Sequence, residues 1–194
     1  MERLIRAGQR LFHQGDAASH LFELRAGILR QTRTLESGER QVIGFHFPGD
    51  IVGFAPDGIH RDDCTAITDG RAIVHHADAR TLADRSPELQ PRLWAAAMQE
   101  IGRAQDQLVM LGRRSASAKV EAFVQYLIER AGNWRDGQVS VDIPMSRYDI
   151  ADFLGVAVET VSRSFTDLRQ AGVIEMTDPH RLTIRHPAAL ANLR

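Results

Sequence analysis

A chain of 194 residues, 43% hydrophobic and 25% charged, has the length of two modest modules and the balance of a soluble protein. It has no apolar run of the ~18 residues that span a bilayer, and its N-terminus lacks the apolar core and cleavage site of a secretory signal, so the expected location is the cytoplasm. Its single cysteine, Cys64, excludes an intramolecular disulfide and any all-cysteine metal or iron–sulfur site within one chain, and a net charge of −1 excludes a nucleic-acid partner held by bulk charge alone.

Residues 1–85 are predicted to form a β module. Gly15, Gly27, Gly38 and Gly49 recur at near-regular intervals, several in turn dipeptides such as Ser37-Gly38 and Gly49-Asp50. Between them run strand-like segments, Leu21–Leu24 and Gln41–Phe47, and regular short strands with turn signals predict a β-sandwich or roll. Ser86-Pro87 then reads as a helix start, with serine at the N-cap and proline at the first helical position. The helix is expected to run to about Gly112, making 86–112 a separate element. On it Trp94, Ile101 and Leu108 repeat every seven residues, and Ala97, Ala104 and Leu111 repeat three positions later, an a/d seam. The favoured reading is a homodimer, because alanine at d lets a twin helix approach closely. A helix packed on its own β module is the alternative.

Residues 113–194 form the third expected module. A helix is predicted from Ser115 to about Gly132, with Val120, Phe123, Val124, Leu127 and Ile128 at helical spacing. Asn133–Gly137 reads as a loop and Val139–Ile143 as a short strand. Ser146 and Asp149 then have capping-box spacing, and Ile150, Ala151 and Leu154 form the inner face of a short helix. Gly155 supplies a tight turn. A second helix starts near Val158 and stops at Gly172, with Val161, Phe165 and Leu168 on one face. Glu159, Ser162 and Arg163 share the other, at i, i+3 and i+4. Val173–Met176, a turn at 177–180 and a strand from Arg181 follow as a wing. Two helices, a glycine turn and a polar face at the start of the second suit the major groove of double-stranded DNA. Arginine can bind guanine bidentately, glutamate can accept from cytosine N4, and serine can serve several edges. Thr160, Ser146, Arg147 and Arg181 complete the candidate DNA contacts, the two arginines at places that suit phosphate.

With these residues in place, the whole chain resembles the superfamily of the cyclic-AMP receptor protein and the fumarate–nitrate reduction regulator. Val158-Glu159-Thr160-Val161-Ser162-Arg163 is similar to the Glu-x-x-Ser-Arg recognition helix of the fumarate–nitrate branch, and 44–54 to its roll. Leu111-Gly112-Arg113-Arg114 and Asp149–Gly155 bring the chain closest to FixK-type regulators. The resemblance implies an α+β architecture: an N-terminal antiparallel β-roll of the cyclic-nucleotide-binding type, a long dimerisation helix and a C-terminal winged helix-turn-helix. It also implies an activator that works with RNA polymerase and a half-site of the form TTGA with its inverted copy TCAA. Departures from the family pattern matter equally. Cys64 does not fall at a cluster-ligand position, which aligns near Val74. Gly53 is followed by Phe54 where nucleotide binders have glutamate, and His60-Arg61 stands where they have Arg-Ser. Ser146 occupies the place of a redox-sensitive cysteine, and Ala157 that of a Ser or Thr N-cap, a loss of roughly 0.5–2 kcal/mol at that helix start.

No cofactor is therefore expected, and no metal ligands or catalytic residues. His75-His76 are neighbours on a strand and point to opposite faces, His13, His20, His46 and His60 are scattered, and His46 is expected to face the roll. Asp62-Asp63 reads as a solvated turn, Cys64 as a plain small side chain, and no phosphate loop or nucleophile elbow is present. The competing function is an effector-binding roll, sensing haem or a small molecule and signalling through protein contacts.

Overall fold

Turn glycines and short apolar stretches divide the N-terminal part into eight strands: β1 (Glu2–Ile5), β2 (Arg10–Phe12), β3 (His20–Ala26), β4 (Leu29–Thr34), β5 (Arg40–His46), β6 (Ile51–Val52), β7 (Asp63–Ala66) and β8 (Gly70–His76). The computed structural model describes residues 1–76, 89–178 and 180–184. It divides into two units, Met1–Gln105 and Asp106–Arg194. In the first, the strands pair antiparallel in two four-stranded sheets, β1-β8-β3-β6 and β2-β7-β4-β5. Ile5, Phe22, Leu24, Val52 and Ala72 from one sheet share a core with Phe12, Leu29, Cys64 and Ala66 from the other. Burial is the main force holding such a roll together. Cys64 is part of that core, and burial, with Asp62 and Asp63 nearby, pushes its thiol far above the ordinary range.

One turn in the roll has a particular importance. Phe47-Pro48-Gly49-Asp50 is closed by the Asp50 amide donating to the Phe47 carbonyl at 3.0 Å, with Gly49 at φ +98°. Proline then glycine at the two central positions is the signature of a type II turn, which needs positive φ at the glycine. The Asp50 side chain turns back to accept from the Phe47 amide at 2.9 Å.

Helix α1 (Gln90–Leu111) follows. Its expected start at Ser86-Pro87 lies outside the described residues. Leu93 is buried against Leu21 and Ile51, with Leu89 and Ala96 beside it. Trp94, Ile101 and Leu108 instead stand 67%, 52% and 70% exposed. The helix thus docks on its own roll by residues other than the seven-residue repeat.

In the second unit, α2 (Ala116–Ala131) is capped by Ser115, whose hydroxyl accepts from the Ala118 amide, and closes at Gly132. Val120, Phe123, Val124, Leu127 and Ile128 are all buried. The segment expected as a loop at 133–137 is instead strand β9 (Asn133–Arg135) with a two-residue turn. Asp136 and Gly137 have φ of +49° and +76°. Two successive left-handed residues make the turn whose twist suits a tight hairpin, so β9 pairs with β10 (Gln138–Asp142). After α3 (Arg147–Leu154) and α4 (Val158–Gln170) come β11 (Glu175–Asp178) and β12 (Arg181–Ile184), in a sheet of order β11-β12-β10-β9. Val173 and Ile174, expected as the start of the first wing strand, are used otherwise. Both amides bond back to the Leu168 carbonyl as the chain leaves α4, so the strand begins only at Glu175. Ala171 caps α4, and Gly172, at φ +70°, is the left-handed residue just beyond it.

Candidate nucleic-acid interface

Helix α3 begins where the sequence places it. Ser146 is the N-cap, its hydroxyl accepting from the Asp149 amide at 3.0 Å and donating to the Asp149 carboxylate at 2.8 Å. The shorter aspartate thus closes the box onto the hydroxyl. Ile150, Ala151, Phe153 and Leu154 are buried, and Phe153 meets Phe123 of α2 at 5.7 Å between ring centroids. Gly155, at φ +61° and ψ +47°, ends the helix in the left-handed conformation that suits glycine. Lys119 of α2 donates to the Leu154 carbonyl at 3.4 Å, a cation where the helix dipole favours one.

Helix α4 packs on both α2 and α3. Val161, Ser164, Phe165 and Leu168 are its buried face. Glu159, Ser162 and Arg163 are exposed together on its other side, with Thr160 half-buried beside them. The Ser162 hydroxyl donates to the Val158 carbonyl at 3.1 Å, so it must rotate to reach a base. The N-cap, Ala157, offers no side-chain acceptor to the first amides; Glu159 in the first turn supplies a negative charge at the positive end of the dipole.

The two arginines proposed for phosphate are unlike each other. Arg147 is half-buried, its guanidinium 3.8 Å from the Phe165 ring centroid and within 3.8 Å of the Met176 sulfur. Burial holds it below the ordinary arginine value. This stack ties α3 to α4 and β11, a positioning role that sequence spacing did not reveal. Arg181 is exposed on the wing, its Nε 2.7 Å from the Asp142 carboxylate across the β10–β12 pair, and that hydrogen bond raises its pKa. Tyr148, next to Arg147, is strongly exposed, and nothing in the sequence pattern had singled it out.

Residues 121–193 match the model of the Crp-like helix-turn-helix domain, and residues 2–83 that of the cyclic nucleotide-binding domain. Over 186 residues, 96% of this chain and 83% of the relative, it is 36% identical to the nitrogen fixation regulation protein FixK of Rhizobium meliloti. It is 30% identical over 192 residues to the fumarate and nitrate reduction regulatory protein of Escherichia coli, covering 97% of this chain and 76% of that one. The structure of FixK2 from Bradyrhizobium japonicum superposes with a TM-score of 0.87 at 28% identity, over 100% of this chain and 96% of that chain. The chain belongs to the FixK-type branch of the cyclic-AMP receptor protein and fumarate–nitrate regulator superfamily.

This FixK-type protein is therefore a transcription regulator with a helix-turn-helix DNA-binding domain, and not an enzyme. Among its described residues no helix is long and apolar enough to cross a membrane. An open cavity of about 220 Å³ in the first unit is lined by Phe12, Phe54, Ile59 and His60 together with Gln31, Arg33, His46, Arg61, Asp62 and, from α1, Glu100. His60 stacks on Phe12 at 3.8 Å, and burial lowers its pKa. Asp62, expected in a solvated turn, is only 8% exposed; it accepts from Arg33 Nε at 2.6 Å and Gln31 Nε2 at 2.9 Å. Asp63 begins β7 and accepts from the Gln14 amide. The acidic pair is structural because Asp62, just before β7, is met by partners from β4 and Asp63 begins the strand. Of the arginines of the cavity, Arg33 holds the buried Asp62, and Arg61 pairs with Asp57 at the surface. Phe54 follows Gly53 where the resemblance implies a glutamate for a nucleotide's ribose, so the lining lacks a carboxylate at that position.

Proposed function

We propose that this regulator acts in the cytoplasm as a homodimer that binds a palindrome of TTGA and its inverted copy TCAA, half-sites about one helical turn apart, and activates transcription with RNA polymerase, with no bound cofactor. The observation that carries the DNA reading is the exposed trio Glu159, Ser162 and Arg163, side by side at the start of α4. Arg163 reads the guanine, Glu159 the neighbouring cytosine edge and Ser162 a thymine, with Thr160, Ser146 and Arg181 as further contacts and Arg147 near phosphate while it holds α3 on α4. Residues 1–85 serve as the roll, 86–112 as the dimerisation helix and 113–194 as the DNA-binding module. The pairing seam is Trp94, Ala97, Ile101, Ala104, Leu108 and Leu111, supported by the exposure of its three large residues on a helix that docks elsewhere. Independence from a cofactor is supported by the single buried cysteine and by the internally paired charges of the cavity.

Purified protein should retard a duplex carrying that palindrome without cyclic AMP, and equally in air and under argon. A ligand requirement would favour the effector-gated reading, for which the cavity offers a place; loss of binding in air would restore an oxygen-sensitive group.

A further inference from the structure

His75 and His76 end β8 and face opposite sides of its sheet. His75 Nε2 lies 3.0 Å from Glu23, whose carboxylate also takes Arg25 and Arg92. His76 stands directly opposite His20 in the β3–β8 pair. Directly opposed residues of an antiparallel pair share a face, with Cβ atoms about 4.5–5.5 Å apart. The two imidazole ring centres are 4.5 Å apart and the rings are tilted by 52°. They do not stack as His60 and Phe12 do, at an interplanar angle of 12°. His76 is exposed and His20 half-buried, so the pair is open to solvent.

This arrangement matches what a metal ion asks of two imidazoles. On neighbouring coordination positions, each bound at about 2.0–2.1 Å, their ring centres stand roughly 4.5–5.2 Å apart. The observed separation meets the lower end of that span. His20 is also held from behind, with Ser19 Oγ 2.8 Å from its Nδ1. When the hydroxyl accepts from Nδ1–H, Nε2 carries the lone pair that a metal takes, and a partner on the second nitrogen is the usual support of a ligating histidine. The next pair along the same face is Phe22 and Val74, both apolar. Among the described residues no third histidine, cysteine or carboxylate joins the two rings, so water completes the coordination.

We propose that His20 and His76 form a binding site for one divalent transition-metal ion of the zinc, nickel or copper class, clasped across β3 and β8. The donors set the class, because imidazole suits these ions, whereas calcium and magnesium require oxygen ligands. Two protein ligands bind more loosely than the four of a closed structural site, so occupancy follows the concentration of free ion. The clasp lies in the roll and does not rest on the DNA-binding reading. Strand alternation separates His75 from His76 but gives no sign of His20, which only the pairing of β3 with β8 brings in.

Calorimetric titration of the untagged full chain with zinc at about pH 7.5, where free imidazole is mostly neutral, tests the site without DNA. One zinc ion per chain should bind, and calcium should not. His20→Asn and His76→Asn should each weaken binding by more than the roughly tenfold that loss of an outer-shell partner costs. His13→Asn, elsewhere on the roll, should leave binding unchanged. In proton spectra the imidazole signals of His20 and His76 should move together as zinc is added, while those of His13 stay in place. An absence of zinc binding, affinity that survives either substitution in the pair, or equal uptake of calcium would each overturn the site. His76→Gln serves if the asparagine variant does not fold. Operator retardation by the same proteins keeps the two readings apart: a clasp that binds zinc in protein that ignores operator DNA would count against the function and not against the site.

Discussion

Arg163 and Arg147 sit one helix apart in the same motif, and their surroundings assign them different work. Arg163 is exposed on α4, whereas Arg147 spends its guanidinium on the Phe165 ring. Arg163→Ala should cost about 1–3 kcal/mol per half-site and relax the preference for guanine. Anisotropy titrations over single-base operator variants would show this; a uniform loss with the guanine preference intact would make Arg163 a phosphate contact. Ala157 invites the opposite kind of change. Its helix start has no side-chain acceptor, so Ala157→Ser should stabilise the protein by roughly 0.5–2 kcal/mol, read as a higher midpoint in urea. The trio on α4 and the bare cap were legible in the sequence, because helical spacing alone puts i, i+3 and i+4 together. The Arg147 stack and the buried Asp62 were not, since both depend on strands and helices distant in sequence.

At the level of elements, α1 is the informative case. Its heptad repeat left two readings open, a twin helix or the chain's own roll, because periodicity detects an apolar face without naming what covers it. The structure supplies a second apolar face, Leu89, Leu93 and Ala96, for the roll. Trp94, Ile101 and Leu108 are then a separate exposed stripe, of the kind that marks an interaction surface. Ile101→Glu should bring two charges together in the seam and give monomers by sedimentation equilibrium, with operator binding lost; an intact dimer would refute the seam. The hairpin at 133–138 was missed although Asp136-Gly137 is a strong turn signal, because the three-residue strand before it has no alternating apolar pattern: Asn133, Trp134 and Arg135 are all exposed.

For the whole molecule, a two-fold dimer requires its half-sites about one helical turn of DNA apart. Inserting roughly five base pairs between TTGA and TCAA turns one half-site to the opposite face of the duplex and should reduce retardation to that of a single half-site. Equal binding at all spacings would mean that monomers bind independently. The sequence by itself determined the order of the elements, the roll's turns, the two motif helices and the exposed trio at the start of α4. These follow from local conformational preference and from periods of two and 3.6, both written in neighbouring residues. Only the tertiary structure decided which face of α1 meets the roll, that Asp62 is buried against Arg33 and Gln31, and that Arg103 pairs with the buried Asp50. Such contacts form between residues far apart in the chain, and a buried charge reveals its partner only when folding has brought that partner within hydrogen-bonding distance.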